Sequence, residues 1–428
     1  MNLKQYPFVP FNIVLRKYKD YNIYDLENDE SYIIDEEAYS VLALIDGKRN
    51  IEEIIKSFPL QKKKEIKDAL EQYNEIGIIK FSSLEVSDSL TMTTNHITLP
   101  KENPLNPPYL KNLMINLTEK CNLTCKHCYI TEKNQTNMDL KDLLMVIKDF
   151  YDLQGIKIIL TGGEPFLYSD FKTLLEELRS IPLQKVLLTN GTIIHKQDQI
   201  ILDLLRENFF EIFVSIDGLE DSHNDFRDAN CFRNTIKGIK ILMDNNINVS
   251  INTMIHKQNL NEFEEMYKFI TSLGDIKNWS IDIPTLDDST PRETREKYEI
   301  SFEEGGRILQ DYGWGVIYES PSEGEKVNYA CGPYMMAIDV VGEITKCGFF
   351  LEYNLGNIFN LGLKKGWELV QKKMNWDIQD LKCVELNCEY IEDCRGGCRY
   401  RAYKQTKDIK GIDSFKCYQF GKIEKNNK

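Results

Sequence analysis

Apolar positions in the first 80 residues follow two rhythms. Around Phe11 to Tyr18, Tyr21 to Leu26 and Ser31 to Ile34, β-branched and aromatic residues crowd into short runs, which predicts three strands. After Ile34 the spacing changes to the helical one. Asp35 stands where it can cap a helix that puts Ala38, Val41, Leu42 and Ile45 on one face before Gly47. Asn50 and Glu53 form a capping-box pattern ahead of Ile54, Ile55 and Phe58. Ile66, Ala69, Leu70, Tyr73 and Ile76 predict a third helix that ends at Gly77. Residues 1–80 therefore read as a winged-helix-like module, an architecture that also serves for plain packing or dimerisation.

From 81 to 111 the chain turns polar and ends in P-K-E-N-P-L-N-P-P, which holds neither a continuous ladder nor a helix and reads as a linker. Beyond it, strand-like runs alternate with amphipathic stretches: Leu113 to Leu117, Ile156 to Leu160, Val186 to Leu188, Ile212 to Val214, Val249 to Met254 and Trp279 to Ile283. Six βα units over residues 112–310 predict an α/β fold, a parallel sheet curled into a partial (β/α)6, TIM-like barrel. In such barrels ligands bind at the C-terminal ends of the strands.

Composition narrows the class. The 428 residues suit two or three domains, and 53 Lys+Arg against 67 Asp+Glu leave a net charge of −14. That field repels a phosphate backbone, so no nucleic-acid partner is expected. No apolar run reaches a membrane span and the start lacks a signal-peptide core, so the expectation is a soluble, cytoplasmic protein.

Eleven cysteines are the main chemical signal, because cytosolic thiols stay reduced and clustered ones there bind metal or do chemistry. Cys121, Cys125 and Cys128 lie in C-N-L-T-C-K-H-C-Y, directly after the first barrel strand. Three thiolates are one short of a full cubane set, which leaves one iron open to a small ligand. The other reading is a zinc site completed by His127, which stands too close to Cys128 to chelate comfortably. The second strand ends T-G-G-E-P, the third L-T-N-G, and the fourth V-S-I-D-G followed by H-N-D-F-R. These motifs gather Gly162, Gly163, Glu164, Asn190, Ser215 and Arg227 around one mouth, although T-G-G-E-P alone could be a tight turn and Arg227 a solvated arginine. In the last third, Cys331 and Cys347 precede Cys383, Cys388, Cys394, Cys398 and Cys417. A zinc ribbon is the alternative there, against which Cys388 and Cys394 are widely spaced. Cys231 belongs to neither array and suits a small core hydrophobe.

The C-x3-C-x2-C loop with Tyr129 beside its last cysteine resembles the signature of the radical S-adenosylmethionine superfamily. The resemblance implies a [4Fe-4S] cluster on Cys121, Cys125 and Cys128 whose open iron chelates S-adenosylmethionine, cleaved by one electron to a 5'-deoxyadenosyl radical. It also implies that Gly162, Gly163 and Glu164 receive the amino group, with Asn190, Ser215 and Arg227 near the same ligand, Ser215 and Arg227 for its carboxylate. The late cysteines resemble a SPASM domain within residues 311–428, implying two auxiliary 4Fe-4S clusters. By that resemblance Cys383, Cys388, Cys394 and Cys417 hold one, and Cys331, Cys347 and Cys398 the other, one thiolate short. The usual pattern has two residues between the first late pair, whereas Cys383 and Cys388 enclose four.

With those motifs in place, residues 1–80 resemble the peptide recognition element that captures precursor leaders as an added strand. Together the resemblances imply a maturase of a ribosomally made precursor peptide, fed by a flavodoxin- or ferredoxin-type electron donor and forming a cysteine thioether to carbon. Carbon–carbon cross-linking, peptide epimerisation and side-chain oxidation as in sulfatase maturases are the enzymatic alternatives, and a zinc-binding adaptor the non-enzymatic one. No catalytic side chain follows from the resemblance, except that an epimerase would need a hydrogen donor, for which Cys231 is the candidate.

Overall fold

The computed structural model describes residues 2–28, 30–86, 103–128, 130, 134–284, 286, 290–314, 328–350 and 353–421. It divides into two compact units, the first made of Met1–Tyr109, Lys148–Ile156 and Glu176–Gln184, the second of Leu110–Ile147, Lys157–Leu175 and Lys185–Lys428.

In the first unit, β2 (Ile13–Lys17), β3 (Tyr21–Asp25) and β4 (Glu30–Ile34) form an antiparallel sheet in that order, and β1 (Tyr6–Phe8) pairs with β5 (Lys80–Ser82). β5 straddles the boundary read between module and linker; its three residues are too short to show a strand pattern, and the pairing Tyr6 to Ser82 spans the whole module. Helices Glu36–Leu42, Ile51–Lys56 and Lys63–Glu75 follow the expected caps. Asp35 accepts from the Ala38 N–H, and Asn50 and Glu53 close the reciprocal capping box. Their apolar faces meet the sheet around Ile23, Leu42, Ile51, Ile54, Leu70 and Ile78, all fully buried. Arg16 serves the same unit from the opposite end of β2: its Nε donates to the Gly155 carbonyl and one Nη to that of Pro182, both at 3.1 Å.

In the second unit the six expected strands are present: β6 (Asn112–Asn116), β7 (Lys157–Thr161), β8 (Gln184–Thr189), β9 (Phe210–Ser215), β10 (Asn248–Met254) and β11 (Ile276–Asp282). They lie side by side in chain order, with parallel registers at β6–β7, β8–β9, β9–β10 and β10–β11. Two further strands, β12 (Met335–Ile338) and β13 (Ile344–Thr345), extend the sheet beyond β6 to eight strands. Met114, Ile159, Val186, Phe213 and Ala337, one from each of five strands, pack into one buried cluster. Because the strands run in parallel, their last residues and the loops that follow gather at one end, which is where the sequence motifs sit.

Candidate active site

The loop after β6 is pinned before its first cysteine. Thr118 Oγ1 donates to Asn137 Oδ1 at 2.7 Å and accepts from the Lys120 N–H at 3.1 Å. The turn after β7 then closes on this root: Gly163 N–H donates to the Thr118 carbonyl and Glu164 N–H to that of Lys120, each at 2.7 Å. A Cβ on Gly162 would stand 2.4 Å from the Thr118 oxygen and one on Gly163 2.3 Å from the Lys120 oxygen, so only glycine admits this approach of two backbones. Glu164 is fully buried beneath, accepting from Thr189 Oγ1 at 2.7 Å and from the Asn190 N–H at 2.9 Å. Burial pushes its carboxyl up to about 7 despite those donors.

The end of β8 also reaches the cysteine loop. Asn190 Nδ2 donates to Asn122 Oδ1 at 3.0 Å, Asn122 Nδ2 donates to Thr192 Oγ1 at 2.8 Å, and Thr192 Oγ1 returns to Asn190 Oδ1 at 2.5 Å. Sequence reasoning singled out Asn190 but missed Asn122 and Thr192, whose polar types in C-N-L-T-C and N-G-T were the available signal. Ser215 is the last residue of β9, half-buried, with its backbone paired to Asn252.

After β9, Asp217 organises the third wall. Its Oδ2 accepts from Arg227 Nε at 2.5 Å, its Oδ1 from the Met254 N–H at 2.8 Å, and its N–H donates to His223 Nδ1 at 3.1 Å. Burial alone would raise the Asp217 carboxyl, but the Arg227 guanidinium brings it below its usual value. His223, pushed down to about 4 by burial and by Arg227, is neutral, and since its Nδ1 accepts, its Nε2 carries the proton facing Cys231 Sγ at 3.3 Å. Cys231 stands at the N-cap position of helix Phe232–Asp244, without a capping hydrogen bond from its side chain, and is 4 % exposed. Arg227 Nη1 lies 3.6 Å from Cys125 Sγ. His127 stacks on Phe226, and Phe226 on His256, and the buried Nδ1 atoms of both histidines have no hydrogen-bond partner among the described residues. Tyr129 lies outside the described residues.

The late cysteines fall into two groups. Cys383, Cys388, Cys394 and Cys417 line one cleft together with Tyr390, Asp413 and Phe420. Cys331 hydrogen-bonds Cys398 and feels the charge of Cys347, with the buried Lys346 beside them. That hydrogen bond lowers the Cys331 thiol against the opposing effect of burial. Asp413 ties this region together: it accepts from the Cys398 N–H at 2.7 Å and from Arg401, whose other Nη reaches Asp282 at the end of β11 at 2.6 Å.

All eleven cysteines are outside disulfides, and Cys121, Cys125 and Cys128 are partly exposed. Soft sulfur donors on a loop gripped at its root, between its cysteines and at its end, beside a buried cation, fit an iron–sulfur cluster.

A family model described as the radical SAM superfamily matches residues 115–270. AlbA of Bacillus subtilis (strain 168), an antilisterial bacteriocin subtilosin biosynthesis protein, is 22% identical over 403 residues, which cover 89% of this chain and 87% of AlbA. The radical SAM cyclopropyl synthase TigE of Paramaledivibacter caminithermalis is 23% identical over 435 residues, covering 90% of this chain and 87% of TigE. Streptococcus suis SuiB bound to its precursor peptide SuiA shares the fold with a TM-score of 0.68 at 18% identity, over 95% of this chain and 98% of that one. With the cysteine loop, the glycine turn and the parallel sheet in one unit, residues 115–270 form a domain of the radical SAM superfamily.

Proposed function

We propose that this enzyme matures a ribosomally made precursor peptide in the cytoplasm, capturing the leader on its first unit and forming a cysteine thioether to a peptide carbon at the barrel mouth. The observation that carries the peptide reading is β4. Among the described residues it pairs only with β3, leaves its other edge open, and presents Ile33, 49 % exposed. An open edge of this kind accepts an extended segment through main-chain hydrogen bonds. The full-length similarity to AlbA, named for the biosynthesis of a bacteriocin, supports the same reading.

In this reading Cys121, Cys125 and Cys128 hold the cluster, and Gly162, Gly163, Glu164, Asn190, Ser215 and Arg227 surround S-adenosylmethionine. Cys383, Cys388, Cys394 and Cys417 hold one auxiliary cluster and Cys331, Cys347 and Cys398 the other; a flavodoxin- or ferredoxin-type protein supplies the electron. When bound, these groups would supply the radical that takes one hydrogen atom from the peptide carbon and the acceptor for the one electron that the cysteine, also losing its proton, would give up as the carbon–sulfur bond forms. The chain's own part is to bind, orient and exclude water. Thioether closure needs no hydrogen donor from the protein, which agrees with Cys231 being buried against His223. Co-expression with the precursor tests this. The expected product is two hydrogens lighter per cross-link and resists alkylation at the joined cysteine; a product of unchanged mass contradicts the proposal.

A further inference from the structure

Cys125 is positioned from both of its neighbours by one turn of helix Glu220–Arg227. Thr124 Oγ1 donates to Asp228 Oδ2 at 3.1 Å, Lys126 Nζ meets Asp228 Oδ1 at 2.9 Å, and the Lys126 N–H donates to the Phe226 carbonyl at 3.0 Å. Asp228 itself ends the helix in the left-handed conformation, φ 57°, which turns the chain back toward the loop. From that last turn Arg227 extends its Nη1 to Cys125 Sγ at 3.6 Å.

The guanidinium has little freedom to do otherwise. Its Nε is held at 2.5 Å by Asp217, whose side chain is 1 % exposed against 10 % for Arg227. Asp217 is fixed in turn through the Met254 N–H on its other oxygen, and through its own carbonyl, which accepts from His256 Nε2 at 2.8 Å and Asn259 Nδ2 at 2.9 Å. These contacts fix the residue whose carboxylate holds the Arg227 guanidinium.

We infer that Asp217 orients Arg227 so that the guanidinium hydrogen-bonds the Cys125 thiolate, and that this bond raises the reduction potential of the iron–sulfur cluster on the loop. The inference rests on the loop holding that cluster. Reduction adds negative charge to the cluster, so a fixed N–H donor carrying positive charge at one of its sulfurs favours the reduced state. Arg227 is here a positioning and tuning residue. Lysine would keep the charge but lose the rigid fork that bridges Oδ2 and Sγ.

The test is an EPR-monitored redox titration of the anaerobically reconstituted holoenzyme, with the relevant signal identified by its loss in Cys125→Ser. The double variant Asp217→Asn/Arg227→Gln removes both buried charges together and so avoids leaving one unpaired. It is expected to keep wild-type iron content while its reduced fraction at a fixed potential falls about tenfold, which for one electron is a shift of about 59 mV to more negative values. Arg227→Lys is expected to shift the potential in the same direction by less. Full iron content with an unshifted potential in the double variant overturns the inference. If Cys125→Ser removes neither iron nor signal, it is instead the assignment of the loop that fails, and the inference falls with it.

Discussion

Asn190 Nδ2 donates to Asn122 Oδ1 at 3.0 Å, so the end of β8 holds the cysteine loop from within its first spacing, between Cys121 and Cys125. From Cys121 to Cys128 the loop has no helix or strand and is held by such clamps. Asn122→Ala removes this bond and the one to Thr192 and is expected to cost about 1–2 kcal/mol locally. The checking measurement is iron retained after gel filtration in chelator. Faster loss than wild type, with the unfolding midpoint little changed, is the expected outcome.

Glu164 gives a pH signature to the cofactor-free protein. Its folded carboxyl titrates at about 7, above the ordinary 4.5, so between those values the folded state binds more protons than the unfolded. Stability from this group is therefore full below about pH 4.5 and falls as pH rises to about 7. His223, lowered to about 4, acts with the opposite sign, its stabilisation being lost as pH falls from 6.5 to about 4. Glu164→Gln isolates the first effect. Urea unfolding at pH 5 and pH 7.5 is expected to show a smaller loss of stability for the variant than for wild type over that interval.

β4 offers a direct probe of leader capture. Ile33→Glu changes an exposed side chain on a strand edge, so unfolding should stay within about 0.5 kcal/mol of wild type. Binding of a fluorescently labelled precursor should weaken at least about tenfold, since a side chain of this size contributes about 1.5–3 kcal/mol when covered. Unchanged affinity would make the edge irrelevant to the peptide.

The six parallel strands were legible because buried parallel strands are written as short apolar runs, as in K-I-I-L-T before the glycine turn. The caps at Asp35 and Asn50 were legible because they depend on residues three positions apart. What escaped depends on distant partners. M-M-A-I of β12 joins the main sheet by finding β6, more than 200 residues earlier, and β1 is a strand because it meets β5. The motif S-I-D-G put Asp217 in view, yet nothing local to it reveals that its partner is Arg227 or that Arg227 reaches Cys125. The late cysteines could be sorted into two sets by family resemblance alone, because a contact such as that of the Cys398 N–H with Asp413 joins residues far apart in sequence.

The most direct measurement follows the abstracted hydrogen. The reconstituted enzyme is given S-adenosylmethionine, a reductant and a precursor deuterated at the carbons that can accept sulfur, and both products are analysed by mass spectrometry. The account predicts deuterium in the 5'-deoxyadenosine, a peptide that carries a thioether at the carbon that lost it, and no solvent hydrogen at that carbon. Deoxyadenosine free of deuterium, or a peptide of unchanged bonding that has taken up solvent hydrogen at the labelled carbon, would contradict it.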